Sequence, residues 1–171
     1  MATDSSEPKL PSAGLLLEQY GPLIFSAIGG AMVVLWRDEI THLVNSKQLD
    51  INNLYSAVLN WASIQIGFAF AVYGFVVGKT QGFVEAVRDT IAMRRFLSYV
   101  KRANVGGFVL TATSIPLAVV APSPDDSQSS IFWLVTIWFC LFLWTFFAFL
   151  RIAYNFGHLT SVRDQAPFHG A

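Results

Sequence analysis

The sequence predicts an all-α integral membrane four-helix bundle, with both termini in the cytoplasm and an amphipathic basic connector between helices 2 and 3. Three observations carry this expectation. Hydrophobic residues make up 54% of the chain and charged residues 13%, against about 25% charged in an ordinary soluble domain. The apolar residues come in blocks of membrane length rather than scattered, and mean hydropathy is +0.50. The cations are clustered between two of the blocks: Lys79, Arg88, Arg94, Arg95, Lys101 and Arg102, six of the eleven Lys and Arg, fall within 79–102. Basic residues near span ends mark the cytoplasmic side of a membrane protein.

Residues 1–14 are polar, with Pro8, Pro11 and Gly14, and are expected to form a flexible cytoplasmic tail. The first span is expected over about 15–36. Its uninterrupted apolar run, Pro22–Trp36, is fifteen residues, or about 22 Å of helix against a hydrocarbon core of roughly 30 Å. The helix therefore has to begin upstream, near Ala13, with Glu18 at the interface and Pro22 a candidate kink. Alternatively, Leu15–Tyr20 is a separate interfacial helix and Pro22 opens the span. Trp36, Ile40, Leu43 and Val44 recur at helical spacing, which carries helix past the membrane by two turns. The tract at 46–53 reads as a loop.

The second span is expected over 57–78. Ser63, Gly67 and Ala71 are four apart, and Gly74 and Gly78 repeat the interval. Small residues at that spacing let another helix approach closely, which matters in lipid because no hydrophobic drive pairs helices there. These residues, with Gln65, are the candidate packing or pore-lining positions. An amide in hydrocarbon needs a partner, so Gln65 predicts either one interhelical hydrogen bond or a pore or substrate contact.

The connector, 79–104, is expected to be one basic amphipathic helix. Arg88, Arg95 and Arg102 are seven apart, as are Arg94 and Lys101, so each set shares a face of a continuous helix. Arg88, Arg94, Arg95, Lys101 and Arg102 form the candidate lipid or partner surface. The third span is expected over 105–120, with Gly106 and Gly107 allowing close approach and Pro116 removing one backbone hydrogen bond. The loop at 121–130 carries Asp125 and Asp126 and no cation; two carboxylates alone read as a solvated loop tip rather than a cation site.

The fourth span, 131–152, is the most apolar and is aromatic on every face. Ser129 or Ser130 is the candidate cap, Arg151 ends the span, and Gly157 is a candidate helix stop before a cytoplasmic tail over 157–171. With four spans, the connector side collects nine cations, from Lys9, the six in the connector, Arg151 and Arg163, while the other side collects Arg37 and Lys47. That ratio orients the protein N-in and C-in.

Chemical motifs are missing. Cys140 is the sole cysteine, so no intramolecular disulfide can form. His42 and His158 fall on opposite sides of the bilayer, which argues against haem held between them. The sequence contains no HExxH, no Cys–His cluster and no glycine-rich phosphate loop, so no metal, cofactor or enzymatic activity is expected. Zero net charge gives no reason to expect nucleic-acid binding. The start of the chain lacks a signal-peptide pattern, Ala2 excludes myristoylation, and the last residues form no prenylation box. The protein is expected to be integral to the plasma membrane, or to the inner membrane of a bacterium. The primary functional expectation is a small self-associating pore or membrane-perturbing component. The alternative is a membrane anchor that recruits a cytosolic partner through its basic connector. The expected partners are the bilayer, including anionic lipids, further copies of the chain, and a cytosolic protein.

Overall fold

A computed structural model describes residues 13–79 and 83–161; residues 13–19 and Phe83 contribute backbone only. The tails at 1–12 and 162–171, with Lys9 and Arg163, lie outside the described residues. Every regular element described is helical: α1 (Ala13–Leu35), α2 (Arg37–Asn45), α3 (Ile51–Gly78), α4 (Phe83–Val87), α5 (Ile91–Val120) and α6 (Ser130–Ser161). Three of these, α3, α5 and α6, are long and apolar enough to cross a membrane. In α1, the apolar stretch among residues with described side chains is Tyr20–Leu35, shorter than these three. The helix itself is continuous through Pro22, so a separate interfacial helix before the proline does not form.

The surface supports membrane integration more directly than length does. Ile24, Phe25 and Ile28 on α1, Ile64 and Phe70 on α3, Val105, Phe108 and Val119 on α5, and Leu134 and Ile137 on α6 are all exposed. The interior, by contrast, holds Ser26, Gln65, Ser114, Thr136 and Thr145. Water would penalise such an apolar exterior heavily; lipid does not. Several of these buried polar groups bond within the protein. The Trp138 indole donates to Ser114 Oγ at 2.9 Å, and the Ser26 hydroxyl donates to the Cys140 carbonyl at 2.6 Å.

The long helices form a connected series rather than a closed square. α3 packs closely on α5, α5 on α6, and α6 on α1. Glycines set the close approaches. A Cβ on Gly106 would lie 2.8 Å from the Trp144 ring and one on Gly107 2.9 Å from Ile66, and one on Gly30 would collide with Cys140 Sγ. The α3–α6 side is spaced wider and filled by rings. Trp61, Phe68 and Phe75, seven residues apart, meet Phe146, Phe149 and Phe156 at centroid distances of 5.1–5.5 Å between their closest pairs. Offset and edge-on ring contacts of this kind add about 0.5–1.5 kcal/mol each beyond the area they bury.

The helix ends differ from expectation at three places. α3 starts at Ile51, six residues before the expected span. Asp50 caps it, accepting from the backbone N–H groups of Asn52 and Asn53 at 2.9 and 3.4 Å. The expected connector helix is two pieces. The short α4 ends at Val87, and Thr90 then caps a new helix, its hydroxyl accepting from Met93 N–H at 3.3 Å. That helix runs without interruption into the third apolar stretch. Finally, α6 passes through Gly157 to Ser161, because a glycine permits a helix end but does not impose one. Ser129 is the cap found at the start of α6, accepting from Phe132 N–H at 3.2 Å.

Candidate functional site

The structure places charge at two opposite ends of the helices. At one end, Asn45 of α2 donates to the Asp125 carbonyl at 2.9 Å and Tyr55 of α3 donates to the Pro122 carbonyl at 2.9 Å. These bonds bring the 36–50 and 121–129 segments together, with Arg37, Asp38, Glu39, Lys47, Asp50, Asp125 and Asp126. At the other end lie the C-terminus of α3, α4, the start of α5 and the end of α6. They carry Lys79, Arg88, Arg94, Arg95, Lys101, Arg102 and Arg151, with Glu85 and Asp89. The first end is mostly acidic and the second mostly basic.

Within the basic end the candidate residues separate by role. Arg88 turns inward to α3: its guanidinium donates to the Val77 carbonyl at 3.2 Å and to the Lys79 carbonyl. It also pairs with Glu85 at 3.1 Å. It thus satisfies carbonyls left over at the C-terminus of α3, where a cation is favoured. Arg94 is exposed and donates to the Asp89 carbonyl at 3.0 Å across the first turn of α5. Arg95, Lys101 and Arg102 are also exposed. On α5, positions 95, 99, 102 and 106 share one stripe by helical periodicity. That stripe faces α6, because Gly106 meets Trp144 and the Tyr99 ring carries the Arg151 guanidinium at 3.8 Å.

The second candidate group is not brought together. Gln65 is fully buried against α5, where its amide donates to the Ala103 carbonyl at 3.3 Å. Its Oε1 is buried without a hydrogen-bond partner. Ser63, Gly67, Ala71, Gly74 and Gly78 are exposed on α3. Added Cβ atoms at Gly67, Gly74 and Gly78 would meet nothing within 4 Å. The glycines that pack within the chain are instead Gly29, Gly30, Gly106 and Gly107. Sequence reasoning left Tyr99 and Asn155 unmarked at the basic end, although Tyr99 lies four residues from Arg95 on the arginine-bearing face. His42 and His158 stand at opposite ends of the molecule. Among the described residues no three His, Cys, Asp or Glu side chains group as metal ligands.

The chain matches no family model, no curated protein and no solved structure.

Proposed function

We propose that the chain is a four-span membrane anchor, N-in and C-in, which presents its basic end to the cytoplasm and holds an acidic cytosolic partner there. In this reading α1 is the first span, and the membrane is the plasma membrane, or the inner membrane of a bacterium. The separation of charge between the two ends carries the proposal. Seven described cations stand against two carboxylates at one end, and the other end is mostly acidic. Orientation accounts for a bias of this sign, and the exposure of Arg94, Lys101 and Arg102 leaves them open to an acidic surface. The test is capture from native membranes with a lysine-directed cross-linker. A partner adduct is expected with the unaltered chain and lost when Arg94 and Arg102 are changed to Gln, Lys101 being kept as the amine that cross-links. An adduct of unchanged yield in that variant would refute recruitment by charge.

A pore built from several copies is the second reading, and the exposed small-residue face of α3 favours it. Gln65 supports the anchor instead, because it is sealed between α3 and α5 and lines no aqueous path within one chain. Purified protein in vesicles discriminates the two: ion flux that disappears when Gly67 and Gly74 on the exposed face of α3 are changed to Leu would establish the pore, and an absence of flux with a monomer in solution supports the anchor.

A further inference from the structure

We infer that the basic end contains a binding groove for the head group of an anionic phospholipid from the cytoplasmic leaflet, between the projecting ends of α5 and α6. The inference rests on the membrane-spanning reading above but not on partner recruitment. α5 and α6, of 30 and 32 residues, are about 45 and 48 Å long, well beyond a hydrocarbon core of roughly 30 Å. Both project on the same side, where the run of exposed large apolar residues stops at Val105 on α5 and Leu150 on α6, with only Ile91 and Tyr154 exposed beyond them among the described residues. The groove of about 610 Å³ lies between these projections. In its wall, Tyr99 is about 9 Å and Arg95 about 15 Å along α5 from Val105, so the groove opens at the outer edge of a head-group layer about 5–8 Å thick and extends beyond it.

Its lining is amphipathic in the manner a phospholipid requires. Met93 and Phe96 form a buried apolar floor with Leu159, while Arg95, Asn155 and His158 supply polar groups around it. Arg151, stacked on Tyr99, adds positive charge beside the groove. Among the described residues no carboxylate lines it. Of the two acidic residues described at this end, Glu85 is paired with Arg88 and Asp89 lies in the turn before α5. The groove at the opposite end, about 490 Å³, has both Asp50 and Asp125 in its lining and would repel a phosphate. A guanidinium matches phosphate oxygens in pairs, and a flexible arginine at this depth reaches back toward the phosphate plane with its stem on apolar surface. Orientation alone requires cations at this end; it does not require an apolar floor beneath one of them and a carboxylate-free wall around it.

The full-length chain in detergent, offered phosphatidylglycerol and phosphatidylcholine of matched acyl chains in equal amounts, tests the assignment by native mass spectrometry. Retention should favour phosphatidylglycerol by at least about fivefold, the equivalent of ~1 kcal/mol, which is the contribution of one surface cation. Arg95→Gln should remove most of that preference and Arg95→Lys should keep part of it. Arg94→Gln, one residue away on the outward face, should leave it intact. Equal losses from Arg94→Gln and Arg95→Gln would show a diffuse basic surface and overturn the groove, as would the absence of any preference. Complete displacement of the lipid by millimolar glycerol phosphate would overturn the lipid as the occupant. A chain that fails to float with vesicles at all would instead defeat the membrane reading on which the groove depends.

Discussion

Gln65 shows how a single side chain can answer a question the helix pattern leaves open. Its amide makes one hydrogen bond, to the Ala103 carbonyl, and its Oε1 is left over in the interior. Interhelical hydrogen bonds in membranes contribute on average about 0.6 kcal/mol, because the separated helices also find partners. Replacing the whole amide by an apolar group of similar size removes the bond and the orphan acceptor together, a nearly neutral exchange. Gln65→Leu should therefore hold stability within about 1 kcal/mol, whereas Gln65→Ala should lose about 2–4 kcal/mol through the cavity it opens. Unfolding in mixed micelles with rising SDS measures both, and a loss in Gln65→Leu as large as that in Gln65→Ala would mean that the hydrogen bond outweighs packing here. Arg88 makes a parallel case at the basic end. Its ties to the Val77 and Lys79 carbonyls and to Glu85 predict that Arg88→Gln frays the end of α3 and costs about 1 kcal/mol, with the partial exposure of the group keeping the figure low. Faster amide exchange confined to the 75–90 segment would register it, and unchanged exchange there would exclude a capping role.

At the scale of elements, the glycines separate into those that hold helices together and those that face outward. A methyl on Gly106 would sit 2.8 Å from the Trp144 ring and 3.0 Å from Thr145, both stiff neighbours, so Gly106→Ala should cost about 1–3 kcal/mol in the α5–α6 contact. Gly74→Ala meets nothing within 4 Å and should be neutral or stabilise by up to about 1 kcal/mol, since alanine is the better helix former. The same micelle unfolding compares them, and a Gly74→Ala protein that is destabilised would show that a second copy occupies the outer face of α3. Periodicity could not reveal this division. Ser63, Gly67 and Ala71 have the sequence signature of a packing face, but which face turns inward is set by Gln65, Ala69 and Val72 burying against α5 and α6. The heptad of Arg88, Arg95 and Arg102 misled in a related way. Residues seven apart share a face only within one helix, and the turn at 88–90, closed by the Thr90 cap, sends Arg88 to α3 while Arg95 stays on the α6 side of α5. Apolar blocks mark the long helices plainly. The caps at Asp50 and Thr90 were legible only as single polar residues before apolar runs, a signal too small to separate cap from loop without the neighbouring backbone.

Viewed whole, the molecule is three long apolar helices with a shorter apolar one leaning on α6, and its two ends differ in charge. The antiparallel contact of α1 with α6, in which Gly30 meets Cys140 and Phe25 stacks on Phe147, sets the start of α1 at the basic end. If α1 crosses the bilayer as proposed, Lys9 and the connector share the cytoplasm, while α2 and the 121–129 loop share the outside. Single cysteines at Lys9, His42, Ser98 and Gln128 in a Cys140→Ala background sample all four segments; His42, Ser98 and Gln128 are exposed. In right-side-out membranes an impermeant maleimide should label His42→Cys and Gln128→Cys at once, and Lys9→Cys and Ser98→Cys only after permeabilisation. Labelling of Lys9→Cys together with His42→Cys would leave α1 on one surface and reduce the protein to three spans. Labelling of Ser98→Cys from outside would invert it and put the basic end, with its groove, against the wrong leaflet. The inverted form would hold its cations on the outer face against the bias that insertion imposes on Lys and Arg, which is why the cytoplasmic placement of Ser98 is the expected result.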